Sequence, residues 1–148
     1  MKKTMKTLDI CIDFDGTCVT HDFPFVGQDI GAVPVLKKLV AAGHRLIVFT
    51  MRSDITEANS DDESIHCEPG KYLSDAVAWF NKNDIPLYGI NSNPTQHTWT
   101  TSPKAYGQIY IDDCALGCPL IHDKQIHDKP FVDWNAVERM LIENGVKI

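Results

Sequence analysis

The stretch Leu8 to Thr17, LDICIDFDGT, constrains the chain more than any other. Leu8, Ile10, Cys11 and Ile12 form an apolar run of strand length that ends on Asp13 and Asp15, then Gly16 and Thr17. A carboxylate inside a central strand is costly to bury without a partner. At the C-terminal edge of a strand it opens into the crevice where α/β proteins bind ligands. Two carboxylates aimed at one point suit the holding of a hard cation and attack on, or protonation of, an oxygen.

The rest of the chain supplies a frame for such an edge. Residues Ala32 to Ala42 carry apolar side chains at helical spacing (Val33, Leu36, Leu39, Val40), with Pro34 in the first turn and Gly43 as the stop. Arg45 to Thr50 is a second buried strand, Leu87 to Ile90 a third, and Ile109 to Asp112 a fourth; Pro119 to Ile121 is a short fifth. Gly70 to Asn83 reads as an amphipathic helix, and Trp134 to Asn144 as a closing helix with Asp133 as N-cap and Gly145 as stop. The polar segment Met51 to Pro69 fits either a loop or a short exposed helix. Asn91 to Pro103 is irregular and rich in Asn, Thr and Pro. Strands that alternate with helices predict a mainly parallel central sheet covered on both faces, a Rossmann-like three-layer α/β sandwich. At 148 residues the expectation is one domain.

In a parallel sheet the C-terminal strand ends gather at one edge. Here they bring Asp13 and Asp15, Thr50, and Asp112 and Asp113 together, with Lys104 reached through the Asn/Thr/Pro segment. The carboxylates suit Mg²⁺, which takes oxygen ligands and keeps several waters. The lysine and threonine complement a phosphate's remaining charge and lone pairs, and Gly16 lets the backbone turn its N–H groups towards an anion.

This set of residues resembles the four motifs of the haloacid dehalogenase (HAD) superfamily: DFDGT at Asp13 to Thr17, an apolar run ending in Thr50, then Lys104, then Asp112–Asp113, in that family's order. The resemblance spans Leu8 to about Ile121. It implies a Mg²⁺-dependent phosphohydrolase that cleaves a phosphomonoester through an aspartyl-phosphate. Asp13 matches the nucleophile, and Asp15 the general acid that later activates water; the aspartate at this second position is similar to the phosphatase branch. Thr50 matches the hydroxyl that hydrogen-bonds the transferring group, and Lys104 the lysine that neutralises it and orients the nucleophile. Asp112 would bind Mg²⁺ with Asp13 and the main-chain carbonyl of Asp15, while Asp113 acts through a water or supports the lysine. The family usually adds a cap domain. Neither Cys18 to Gly31 nor Asn91 to Pro103 is long enough to fold as one, so the resemblance is to a capless member with an open site. Loops 18–31, 52–69 and 92–103 would then choose the substrate, with Phe23, Phe25, Arg52 and Trp99 as candidates. A second subunit covering the rim is one arrangement such members use.

Plainer assignments apply elsewhere. A DxD at a strand end is, taken alone, an ordinary solvated turn; it is the ordered company of Thr50, Lys104 and the second acidic pair that raises it above that. Asp61 to Glu63 reads as a solvated loop. Trp79, Phe80 and Trp134 read as packing, as do Cys11 and Cys114 in or beside strands, and Cys114 and Cys118 as turn residues. His21 and His66 sit on loops near the rim, and the six histidines show no zinc spacing. The net charge of −6 disfavours a nucleic-acid grip, although a bound cation inverts the local field and keeps a phosphorylated substrate open. The apolar run after MKKTMK is broken by Asp9 and Asp13 and fails as a signal peptide. With no spanning stretch and five cysteines lacking CxxC, the expectation is a cytoplasmic, reduced protein acting on a phosphorylated small molecule. Two other classes compete. One is a catalytically silent HAD-like domain kept for partner binding or phospho-signalling; the other is a phosphatase of nucleotides or nucleic-acid ends. A receiver domain would place its phospho-acceptor aspartate at the end of the third strand, where this chain has Ile90–Asn91.

Overall fold

The structure, a computed structural model, describes residues 6–57 and 68–148. Strand β1 (Asp9–Ile12) is buried along its whole length, as the unbroken apolar run demands of a central parallel strand. Its one acid, Asp9, is accommodated by partners: Arg45 Nε donates to Oδ1 at 2.6 Å and Asn93 Nδ2 to Oδ2 at 2.8 Å. Helix α1 (Ala32–Ala41) then leads to β2 (Arg45–Val48). A two-residue strand β3 (Asp54–Ile55) pairs antiparallel with β4 (Gly70–Lys71), which runs into α2 (Tyr72–Lys82). This small ribbon stands where the sequence left a loop or helix open. Residues 58–67, including Asp61 to Glu63 and His66, lie outside the described residues.

Beyond α2 come β5 (Gly89–Ile90), a 3-10 turn at Gln96–Thr98, β6 (Ile109–Ile111), β7 (Leu120–Ile121), β8 (Phe131–Val132) and α3 (Trp134–Glu143). The main sheet has the order β5-β2-β1-β6, and every pairing in it is parallel. The expected fifth strand forms, but as the β7–β8 antiparallel hairpin outside that sheet. Helix α3 starts as read from the sequence: the Asp133 side chain accepts from the Ala136 N–H at 3.1 Å. It stops at Gly145, which takes φ 80°.

The α/β expectation with a parallel central sheet holds; among the described residues the helices are not divided between its two faces. Val35, Leu36 and Leu39 of α1, Ala76 and Phe80 of α2, and Trp134, Val137 and Leu141 of α3 share one core with Ile10, Ile12, Leu46, Val48 and Ile111. All three helices among the described residues therefore pack on one face. The opposite face carries Cys11, Ile47 and the half-buried Phe49 and Tyr88, and meets Ala105 of the 91–108 segment instead of a helix. Prolines 94 and 103 interrupt that segment, and a buried amide organises it. Gln96 Oε1 accepts from the N–H groups of Asn93 (3.0 Å) and Tyr106 (2.9 Å), while Nε2 donates to the carbonyls of Ser102 (3.1 Å) and Lys104 (2.9 Å). A loop whose backbone is satisfied by one side chain has no need of helical hydrogen bonds.

Candidate active site

The chain leaves β1 towards α1 and β2 on one side and later returns to the other side of β1 as β6. The crevice at the C-terminal ends of β1 and β6 is thus the topological switch point, where open α/β sheets bind ligands. Asp13 continues β1, its N–H bonded to the Ile111 carbonyl at 3.0 Å; Asp112 and Asp113 continue β6. A tight turn follows Asp13, with the Phe14 carbonyl accepting from Thr17 (3.1 Å) and Cys18 (2.8 Å). Gly16 takes φ 79° within it, and a Cβ there would run into the His21 ring and the Asp113 carboxylate. Only glycine fits both conditions.

Thr17 ties the two acidic ends together. Its hydroxyl donates to Asp13 Oδ2 at 2.9 Å, with Asp113 Oδ1 at 3.3 Å, and accepts from the Asp113 N–H at 3.1 Å. From α3, Trp134 Nε1 donates to the Thr17 carbonyl at 2.7 Å. His21 Nε2 lies 2.7 Å from Asp113 Oδ2. Burial first, then the hydrogen bond with Asp113 and the Asp112 charge, push Asp13 up to about 8. Burial raises Asp112 too. Burial also works against ionised Asp113, but the hydrogen bonds from His21 and Asp13 outweigh it and hold Asp113 below the usual range.

Asp15, one residue further on, meets a cation of the chain itself. Arg52 Nε donates to its Oδ2 at 2.7 Å and Nη2 to its Oδ1 at 2.8 Å. Arg52 is otherwise bonded to the carbonyls of Tyr72 (3.1 Å) and Phe25 (2.9 Å), so it does not offer its guanidinium as a free substrate contact. Thr50 lies two residues beyond β2; its Oγ1 accepts from the Arg52 N–H at 3.1 Å, and its N–H donates to Asn91 Oδ1 at 2.8 Å. Asn91 stands at φ 56° just after β5, a conformation that asparagine tolerates well.

A cavity of about 450 Å³ opens over these groups, lined by Asp13, Asp15, Thr50, Arg52, Asp112 and Asp113, with His21, Phe23, Met51 and Cys114 at its sides. That is within the range of small-molecule sites. A larger cavity of about 530 Å³ between β6 and α3 is lined by no carboxylate, imidazole, ammonium or guanidinium group; the charged groups gather at the smaller one. Five of the six predicted site residues thus converge. Lys104 stands apart: its Nζ lies 5.3 Å over the Tyr110 ring, on the sheet face without helices. Its charge still reaches Cys11, which lines a third cavity, of about 210 Å³, together with Asp13 and Asp112.

Of the proposed specificity residues, Phe23 and Arg52 line the site, whereas Trp99 packs edge-on against Tyr106. Cys114 is exposed, not buried, and its sulfur lies within 4.8 Å of carboxylate oxygens of Asp112 and Asp113. Cys11, Phe80 and Trp134 are core residues, as expected. Roles for Thr17, Arg52 and Asn91 in building the site emerge only from the structure. The DxDGT run contains Thr17, but no local signal links Arg52 to Asp15 or Asn91 to Thr50. The carboxylates of Asp112 and Asp113 with the Cys114 thiol could hold a metal ion, and burial before neighbouring charge is what raises Asp13 and Asp112. Among the described residues no helix is long and apolar enough to cross a membrane.

No protein-family model and no curated protein matches this chain. A solved structure of a conserved protein from Bacteroides thetaiotaomicron is similar over almost the full length of both chains. It is 27% identical, covers 95% of this chain and 94% of its own, and superposes with a TM-score of 0.68.

Proposed function

We propose that the chain is a phosphohydrolase of the HAD type that cleaves a phosphomonoester through an aspartyl-phosphate on Asp13, with Mg²⁺ as its cation. The observation that carries this reading is the convergence of Asp13, Asp15, Thr50, Asp112 and Asp113 on one cavity at the switch point of the sheet. Asp13, the main-chain carbonyl of Asp15, Asp112 and Asp113 would hold the cation. When bound, it would neutralise the carboxylates and the phosphate oxygens.

In the first half-reaction an Asp13 carboxylate oxygen attacks phosphorus, and the bond from phosphorus to the ester oxygen breaks. Asp15 gives a proton to the leaving oxygen, which departs as an alcohol. Asp15 is then a carboxylate whose two oxygens face Arg52 donors. In the second half it takes a proton from water, whose oxygen attacks phosphorus and releases inorganic phosphate and free Asp13. Thr50, with its oxygen already accepting from the Arg52 N–H, has a hydroxyl proton to donate to a phosphoryl oxygen. Lys104 enters by swinging from the Tyr110 ring towards Asp13, a move its exposed position permits.

The reading includes a capless site, a cytoplasmic location and a phosphorylated small molecule as substrate. The test is inorganic phosphate release from a panel of phosphorylated metabolites, mononucleotides and 5′-phosphorylated oligonucleotides with Mg²⁺. Turnover that EDTA and Asp13→Asn both abolish is expected. Turnover that Asp13→Asn leaves unchanged would overturn the assignment of the nucleophile.

A further inference from the structure

An arginine lining a candidate phosphate-ester site is ordinarily assigned to the phosphate, but the surroundings of Arg52 point elsewhere. Its side chain is only 1% exposed. Both Asp15 oxygens are taken in a two-point fork, and the carbonyls of Tyr72 and Phe25 take two further N–H groups. The guanidinium carbon lies 5.1 Å from the centroids of both the Phe14 and Phe23 rings. Four of its five N–H groups therefore have protein acceptors, and aromatic rings lie against the cation. A planar, bidentate and stacked guanidinium holds a carboxylate in one orientation, which the point charge of a lysine does not.

We propose that Arg52 is a positioning residue for Asp15: it fixes the orientation of the Asp15 carboxylate at the cavity and ties that orientation to loop 18–31. Each contact falls on a different part of the site. Phe14 and Asp15 belong to the turn after β1, Phe23 and Phe25 to loop 18–31, and Tyr72 to the start of α2. Arg52 itself follows Thr50, whose hydroxyl its own N–H approaches. A shift of loop 18–31 is thereby transmitted to Asp15. The proposal rests on the phosphohydrolase reading only in expecting turnover to depend on Asp15.

The test compares Arg52→Lys in the wild-type and Asp15→Asn backgrounds, with para-nitrophenyl phosphate and Mg²⁺, after thermal melts show that each variant is folded. Asp15→Asn should lower kcat by roughly 10²–10⁴-fold. Arg52→Lys should lower kcat by roughly 10–10²-fold, the cost of a misplaced group, with KM changed less than about threefold. In the Asp15→Asn background the same substitution should change kcat less than about twofold, because no carboxylate remains to be positioned. An equal loss in both backgrounds, or none in either, overturns the proposal while leaving the phosphohydrolase reading intact. If the wild type shows no turnover, that reading fails instead, and crystal structures of the wild type and Arg52→Lys decide the positioning role. A changed Asp15 rotamer with a displaced loop 18–31 supports it, and an unmoved Asp15 overturns it. The same crystals decide the matter if the double variant does not fold.

Discussion

Asp13 and Asp15 stand one residue apart and face opposite electrostatic surroundings. Asp13 is buried against Asp113 and Asp112 and is pushed up to about 8, while Asp15 faces the Arg52 guanidinium. Asp13→Asn should reduce turnover by roughly 10³-fold or more, as loss of a nucleophile does, measured as phosphate release with Mg²⁺. The same variant reports on stability. A carboxyl raised in the folded state from 3.8 to about 8 binds its proton more tightly when folded. Its favourable contribution is complete below 3.8 and is lost as pH rises to about 8. Urea unfolding in EDTA should therefore show Asp13→Asn gaining on the wild type progressively between pH 4 and 9. A difference that stays constant with pH would sink this assignment of the charge. At this scale the sequence displayed the acids and Gly16 but not what opposes them. DFDGT is a local run, whereas Asp113 is about 100 residues from Asp13, and nothing local to Arg52 marks it as the partner of Asp15.

Elements deliver these residues by ending in the right places. β1, β2 and β6 stop at Ile12, Val48 and Ile111, and the next few residues of each supply the cavity. Helix α3 contributes from outside the sheet through the Trp134 bond to the Thr17 carbonyl. Trp134→Phe keeps most of the buried ring and removes the donor, leaving a buried carbonyl without that partner. It should cost about 1–3 kcal/mol and lower turnover through Thr17, seen by comparing melts with kcat at a temperature where both proteins are folded. Unchanged stability would mean that water replaces the indole N–H. The helices and main strands were legible because periodicity, Asp133 and the stop glycines are local signals. The 91–108 segment was not, because Gln96 satisfies backbone groups up to ten residues away. That side-chain hub stands against the sheet face that, among the described residues, carries no helix, and the β3–β4 ribbon escapes notice at two residues per strand.

The whole molecule places an acidic rim on a chain of net charge −6, so a cation at the switch point works against both local and overall repulsion. Asp13 holds a proton up to about pH 8, and a hard cation needs that carboxylate ionised. Mg²⁺ binding at pH 7 should thus expel about one proton, since ligands must deprotonate to bind. Above pH 8 the proton is already gone and the release should fade. Calorimetric titrations with Mg²⁺ in buffers of different ionisation enthalpy, at pH 7 and pH 9, measure this directly. The affinity should be higher at pH 9 for the same reason. In the folded protein the cation should also add about 2.7 kcal/mol at a hundredfold excess over its Kd, and Asp112→Asn should weaken both that stabilisation and the proton release. Binding without proton release at pH 7 would show that the cation does not sit on Asp13. It would then require a different ligand set, for which Asp112, Asp113 and the neighbouring Cys114 thiol are the remaining close donors. A thiophilic cation outcompeting Mg²⁺ in the same titration would identify that alternative, because sulfur is a poor ligand for a hard ion.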